Sequence, residues 1–108
     1  MSLAEDIGQL IFARAATVPG DTWDKIKQAS KLYTTGYAQN LIDIAQGVKD
    51  GDIPLEEGKM NTINAELLLA MGIANTQEIT LNEVQKFFND VIGILKTAIN
   101  SKLPIPIL

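Results

Sequence analysis

Apolar residues recur along this chain at steps of three and four, the spacing of one helical face rather than the alternation of a half-buried strand. Leu3, Ile7, Leu10, Ile11, Ala15 and Val18 trace the first stripe. Ser2 and Glu5 in front of it have the spacing of a capping box, and Pro19-Gly20-Asp21 closes it, predicting a helix over about 2–18. The second stripe, Trp23, Ile26, Tyr33, Tyr37, Leu41, Ile44 and Val48, predicts a helix over about 22–49 with Asp21 as its cap. Ile26, Tyr37 and Val48 recur at intervals of eleven, which keeps a nearly straight helix in register with its neighbours. Lys25, Gln28, Lys31, Thr35, Gln39, Asp43 and Gln46 form its solvated face. Gly36 beside the stripe is expected to mark the close approach of another helix.

Lys49-Asp50-Gly51-Asp52 reads as a turn, and Pro54 belongs near the first position of a third helix over about 54–73. Met60, Ile63, Leu67, Ala70 and Met71 are its expected core stripe. Leu68 and Leu69 fall away from that stripe, so the end of this helix is apolar nearly all round and must be central or covered by a partner. After a connection at Ala74-Asn75-Thr76-Gln77, Thr80 and Glu83 form a capping box, and Ile79 and Val84 take the places of a hydrophobic staple. Val84, Phe87, Phe88, Val91, Ile92, Ile94, Leu95, Ala98 and Ile99 then share one side of a fourth helix over about 80–101. Alternating prolines leave Leu103-Pro104-Ile105-Pro106-Ile107-Leu108 as an extended apolar tail. The whole predicts an all-α fold, a single domain over 1–108, arranged as an antiparallel four-helix bundle with that tail.

Composition narrows the chemistry. The chain has no Cys and no His, which removes thiol nucleophiles, disulfides and imidazole acid/base work. A net charge of −4 argues against a nucleic-acid partner. The acidic start of the chain and the charges that interrupt its apolar runs predict neither a secretion signal nor a membrane span, and point to the cytoplasm or, for a phage-encoded protein, the virion.

Carboxylates are the acid/base groups that remain, in the pairs Glu5/Asp6, Asp50/Asp52 and Glu56/Glu57. All sit at helix starts or in a loop, where the helix dipole already accounts for them. Glu66 and Asp90 stand alone on polar sides. An EF-hand reading of Asp50, Gly51, Ile53 and Glu57 fails because Val48 would occupy a ligand position. Gly58-Lys59 lacks the rest of a phosphate loop, and Lys25, Lys27 and Lys31 share their face with Asp24. No catalytic, metal-binding or cofactor-binding residue is therefore assigned, and no cofactor is expected.

Asp52-Ile53-Pro54-Leu55-Glu56-Glu57 and Glu78-Ile79-Thr80-Leu81-Asn82-Glu83 share an acid-Ile-x-Leu-x-Glu helix start, the second leading into a helix rich in Phe and Ile. Over residues 50–99 this resembles short all-helical proteins of phages and prophages. The resemblance implies no active site. The expected function is a non-enzymatic interaction or structural protein acting by protein–protein contact and self-association, with Leu68, Leu69, Leu103, Ile105, Ile107 and Leu108 as its contact surface. The alternatives are a bundle binding a small ligand between Trp23, Tyr33 and Tyr37, and a carboxylate-dependent enzyme.

Overall fold

The computed structural model describes residues 2–77 and 79–108, and these are all-α. Helix α1 spans Leu3–Ala16, α2 Asp21–Lys49, α3 Leu55–Gln77, α4 Leu81–Phe87 and α5 Gly93–Lys102. Phe88–Ile92 forms a π-helical turn that joins α4 to α5 without a break in helical backbone. At about 1.5 Å per residue the 29 residues of α2 reach roughly 43 Å. That matches the longest dimension of the molecule, 43 Å, so α2 is the strut on which the others are laid. Helix α1 packs along one side of it and α3 along another, while the C-terminal rod contacts α1 and α3. This is the arrangement expected of four helical rods joined by short reversals.

The start signals work largely as expected. Ser2 Oγ accepts from Glu5 N–H at 3.2 Å. In the complete capping box at α4, Thr80 Oγ1 accepts from Glu83 N–H at 3.3 Å and Glu83 Oε2 accepts from Thr80 N–H at 2.9 Å. Ile79 and Val84 are buried beside it as the staple requires. Two caps differ. Asp21 is the first residue of α2, and Gly20, at φ 118°, holds the cap position without a side-chain bond. Pro54 precedes α3, its carbonyl accepting from Gly58 N–H at 2.9 Å. The expected connection at residues 74–77 is instead the last turn of α3, where Ile73 is buried and Ala74 packs against the core. Burial outweighs the weak breaker signal of Asn and Thr there. Glu78, the acid of the second repeat copy, lies outside the described residues.

Glycine placement corrects another expectation. Gly36 has open space where a side chain would go. The close approach is at Gly8 in α1: a Cβ there would lie 3.0 Å from Thr35 Oγ1 and 3.2 Å from Thr35 N, backbone that cannot swing aside. Helices α1 and α2 meet across this point.

The fourth helix is not the straight rod expected over 80–101. Val84, Phe87, Val91, Ile99 and Leu103 are all buried, and after Val84–Phe87 their spacing runs in fours. A straight α-helix would rotate such a series about 40° per step out of the core. The π-helical turn inserts one extra residue and restores the register. Its result is that Ile94, expected in the core, is 57% exposed. Beyond Lys102 the chain turns extended at Leu103, as the following proline demands. Asn100 then fastens the tail to its own helix. Its Oδ1 accepts from the N–H groups of Ile107 at 3.2 Å and Leu108 at 3.1 Å, while Nδ2 donates to the Leu108 carbonyl at 3.2 Å.

Two substitutions separate the glycine roles. Gly8→Ala forces α1 away from α2 and is expected to destabilise by about 1–2 kcal/mol. Gly36→Ala fills open space in a helix interior and is expected to stabilise by about 0.5–1 kcal/mol. Urea unfolding of the two variants beside the parent chain measures both.

Asn100→Ala removes all three side-chain bonds to the tail. We expect a loss of about 1–3 kcal/mol and faster amide exchange at Ile107 and Leu108 than elsewhere in the chain, read by hydrogen–deuterium exchange.

Candidate functional site

Helix α3 carries two apolar faces on opposite sides. At about 100° per residue, Gly58, Thr62, Ala65, Leu69 and Ile73 fall within roughly 80° of arc, and all five are buried. Met60, Ile63, Leu67 and Met71 fall within a second arc of about 80° on the far side. They are 66%, 57%, 57% and 58% exposed, and Leu68 on their flank is 63% exposed. Four residues of the expected core stripe, Met60, Ile63, Leu67 and Met71, therefore lie on its outer face, and Ala70 alone is half-buried against the core.

Fit against α2 explains this placement. The side of α2 that meets α3 is bulky: a Cβ on Gly58 would lie 2.5 Å from Val48 Cγ2 and 3.6 Å from Ile44 Cγ2, and one on Gly72 would lie 3.1 Å from the Tyr33 ring. Small residues must face such a surface if the helix axes are to close up. Thr62 adds no orphaned polar atom to the contact, because its hydroxyl donates to the Lys59 carbonyl at 2.6 Å. The side with larger residues is left facing solvent.

Of the clefts beside this outer face, two bring charged or aromatic side chains to it. The larger, about 470 Å³, runs between α3 and the C-terminal rod, with Ile63, Phe88, Ile92 and Ile107 as apolar wall and Lys59, Glu66 and Lys96 as its charged groups. Burial raises the Glu66 carboxyl above the usual carboxylate range, with Lys96 pulling it the other way. The smaller, about 310 Å³, lies between α2 and α3 and is lined by Tyr33, Tyr37, Leu68 and Leu69 among others. The Tyr37 hydroxyl is buried and has no hydrogen-bond partner among the described residues. Its phenol is pushed well above its ordinary value, by burial first and by the Glu66 charge second.

The six residues expected to form a contact surface are not brought together on the surface. Leu69, Leu103 and Ile107 are buried inside the chain, Ile105 and Leu108 are half-buried in the folded-back tail, and Leu68 is exposed. Nor do the three aromatic rings of the ligand-binding alternative line one cavity. Trp23 packs against Phe87 at 6.0 Å between ring centroids, beneath Lys86, while Tyr33 and Tyr37 border the smaller cleft.

The carboxylate pairs stay apart as well. Glu5 receives the Ser2 hydroxyl, Asp50 accepts from Gln46 Nε2 at 2.9 Å, and Glu56 and Glu57 occupy the first turn of α3. Among the described residues no three acidic side chains converge as a cation site would need. Lys27 pairs with Asp24 at 2.8 Å, and Lys31 lies over the Phe12 ring. Among the described residues no helix is long and apolar enough to cross a membrane.

Sequence reasoning missed Lys59, Lys96 and Asn100, and treated Glu66 as an isolated surface acid. No local pattern joins these residues, because α3, α5 and the tail meet only through the fold. The one available signal was the near-uniform apolarity of the second half of α3, around residues 67–73. No protein-family model, curated protein or solved structure matches the chain.

Because Glu66 is held above its unfolded-state value, it favours the fold only while protonated. Below about pH 4 both states carry the proton and the fold bears no penalty. As pH rises through the higher folded-state value, a charge must be held in a half-buried site and stability falls. Glu66→Gln is therefore expected to raise Tm at pH 7 and to match the parent chain below about pH 4. Thermal melts followed by circular dichroism across that range test the sign.

Proposed function

We propose that this protein is a non-enzymatic helical interaction protein that works by binding a second copy of itself through the outer face of α3. The observation that carries the reading is the second apolar face of that helix: Met60, Ile63, Leu67 and Met71, each more than half exposed, with Leu68 alongside. Side chains of this size at these exposures put on the order of 500 Å² of apolar surface on one helix face, near the upper end for a monomer. Two such faces meeting would bury about 1,000 Å², which reaches the lower bound for a specific interface.

A second copy suits the face because its pattern is self-complementary. Methionines stand at both ends, Met60 and Met71, with the branched residues Ile63, Leu67 and Leu68 between them. A two-fold interface asks for that symmetry, since each patch must serve as its own partner. Residues 50–99, which resemble short helical proteins of phages and prophages, include this whole face, and a small self-associating structural protein of phage origin fits the reading.

Sedimentation equilibrium provides the test. The parent chain is expected to dimerise reversibly in the micromolar range. Leu67→Gln combined with Met71→Gln should raise the dimer Kd at least tenfold while leaving helicity and Tm unchanged, because both side chains already face water. A parent chain that stays monomeric at concentrations of about 1 mM overturns the proposal.

A further inference from the structure

We infer that the two copies meet with their α3 helices antiparallel, crossing near residues 65 and 66 on a two-fold axis that lies across both helices. This deepens the self-association reading above and rests on it.

The charge on the seam itself selects the direction. Glu56 lies one turn before Met60 on the same arc, and it is exposed in the first turn of α3. In a parallel seam it would face the Glu56 of the partner copy across the contact, two carboxylates held together where apolar side chains exclude water. Glu57 and Lys59 stand on opposite flanks of the same turn, off the seam. In an antiparallel seam centred between residues 65 and 66, Glu56 faces the turn at Ala74 and Asn75, which is uncharged. The two Glu56 side chains then stand about 28 Å apart at 1.5 Å per residue, beyond the reach of their repulsion at physiological salt.

The same centre aligns the apolar residues. Met60 falls opposite Met71, Ile63 opposite Leu68, and Leu67 opposite Asn64 beside the axis. Flexible thioethers then fill the two ends of the seam and branched side chains fill its middle. The small-residue face of each α3 remains against its own α2, so neither bundle has to open.

Absence of cysteine from the chain makes the geometry directly measurable. Asn64→Cys and Asn75→Cys, both at exposed positions, are each labelled with a nitroxide, and the distance between the two copies is read by double electron–electron resonance. Glu56 stays in place in both variants. The antiparallel seam predicts a short distance at position 64 and about 30 Å at position 75, from its separation along the helix.

A short distance at both positions means a parallel seam and overturns this inference while leaving self-association through α3 standing. A long distance at both, with dimer mass confirmed by sedimentation, moves the contact off α3 and overturns it along with the surface proposed above. No dipolar coupling at either position, together with monomer mass of the unlabelled parent chain, overturns the self-association reading itself.

Discussion

Packing of α3 on α2 is a contact of small residues against large ones, and much of the surface follows from it. Gly58 leaves room for Val48 and Ile44, and Gly72 for the Tyr33 ring. With Ala65, Leu69 and Ile73 on the same side, the helix closes onto α2 without displacing those groups. Turning α3 over would place Met60, Ile63, Leu67 and Met71 against the same bulky surface. Each would gain about 1.5–3 kcal/mol from burial. The helices would have to separate to admit them, and voids between separated helices forfeit dispersion contacts along the whole interface. Close fit wins over total apolar area.

A second constraint shapes the opposite side of the bundle. Phe87, Val91, Ile99 and Leu103 of the C-terminal rod are buried at multiples of four residues, with Ile92 buried beside Val91, and a straight α-helix cannot keep such a series on one face. The π-helical turn at Phe88–Ile92 absorbs the mismatch, so Ile99 and Leu103 reach the core and Ile94 does not. With Leu103 inside, the tail starts from a buried point and Asn100 draws its end back over the groove beside α3. The apolar segment that the sequence leaves open to cover either its own bundle or another chain packs on its own chain.

What could be read from the sequence divides along these two constraints. The helices, the Ser2 and Thr80 caps and the extended turn at Leu103 were legible, because each depends on residues within a few positions of one another. The inward face of α3 was not, because helical periodicity scores Met60, Ile63, Leu67 and Met71 as a better stripe than Gly58, Thr62, Ala65 and Leu69. Periodicity weighs apolar size, whereas the partner helix selects by fit. The groove residues Lys59, Glu66 and Lys96 were illegible for a related reason: they come from two helices whose pairing is a property of the fold. The apolar surplus itself is visible in the sequence, where it is placed on Leu68, Leu69 and the tail; of these Leu68 alone is exposed, on the flank of the outer face that Met60, Ile63, Leu67 and Met71 form.

Misplacing the surplus does not remove it. Burial of Leu103, Ile107 and Leu69 within the chain leaves the outer face of α3 still wet, and it does so on a helix whose other side is already committed to α2. Among the described residues α1 and the C-terminal rod are engaged elsewhere, and Ile107 and Leu108 of the tail lie along the groove beside α3. Rotation of α3 cannot relieve the exposure either, because its two apolar faces are opposed and one would always be outward. A helix built this way keeps one apolar face in water whichever side it turns in, and that standing exposure is the physical basis of the self-association proposed above.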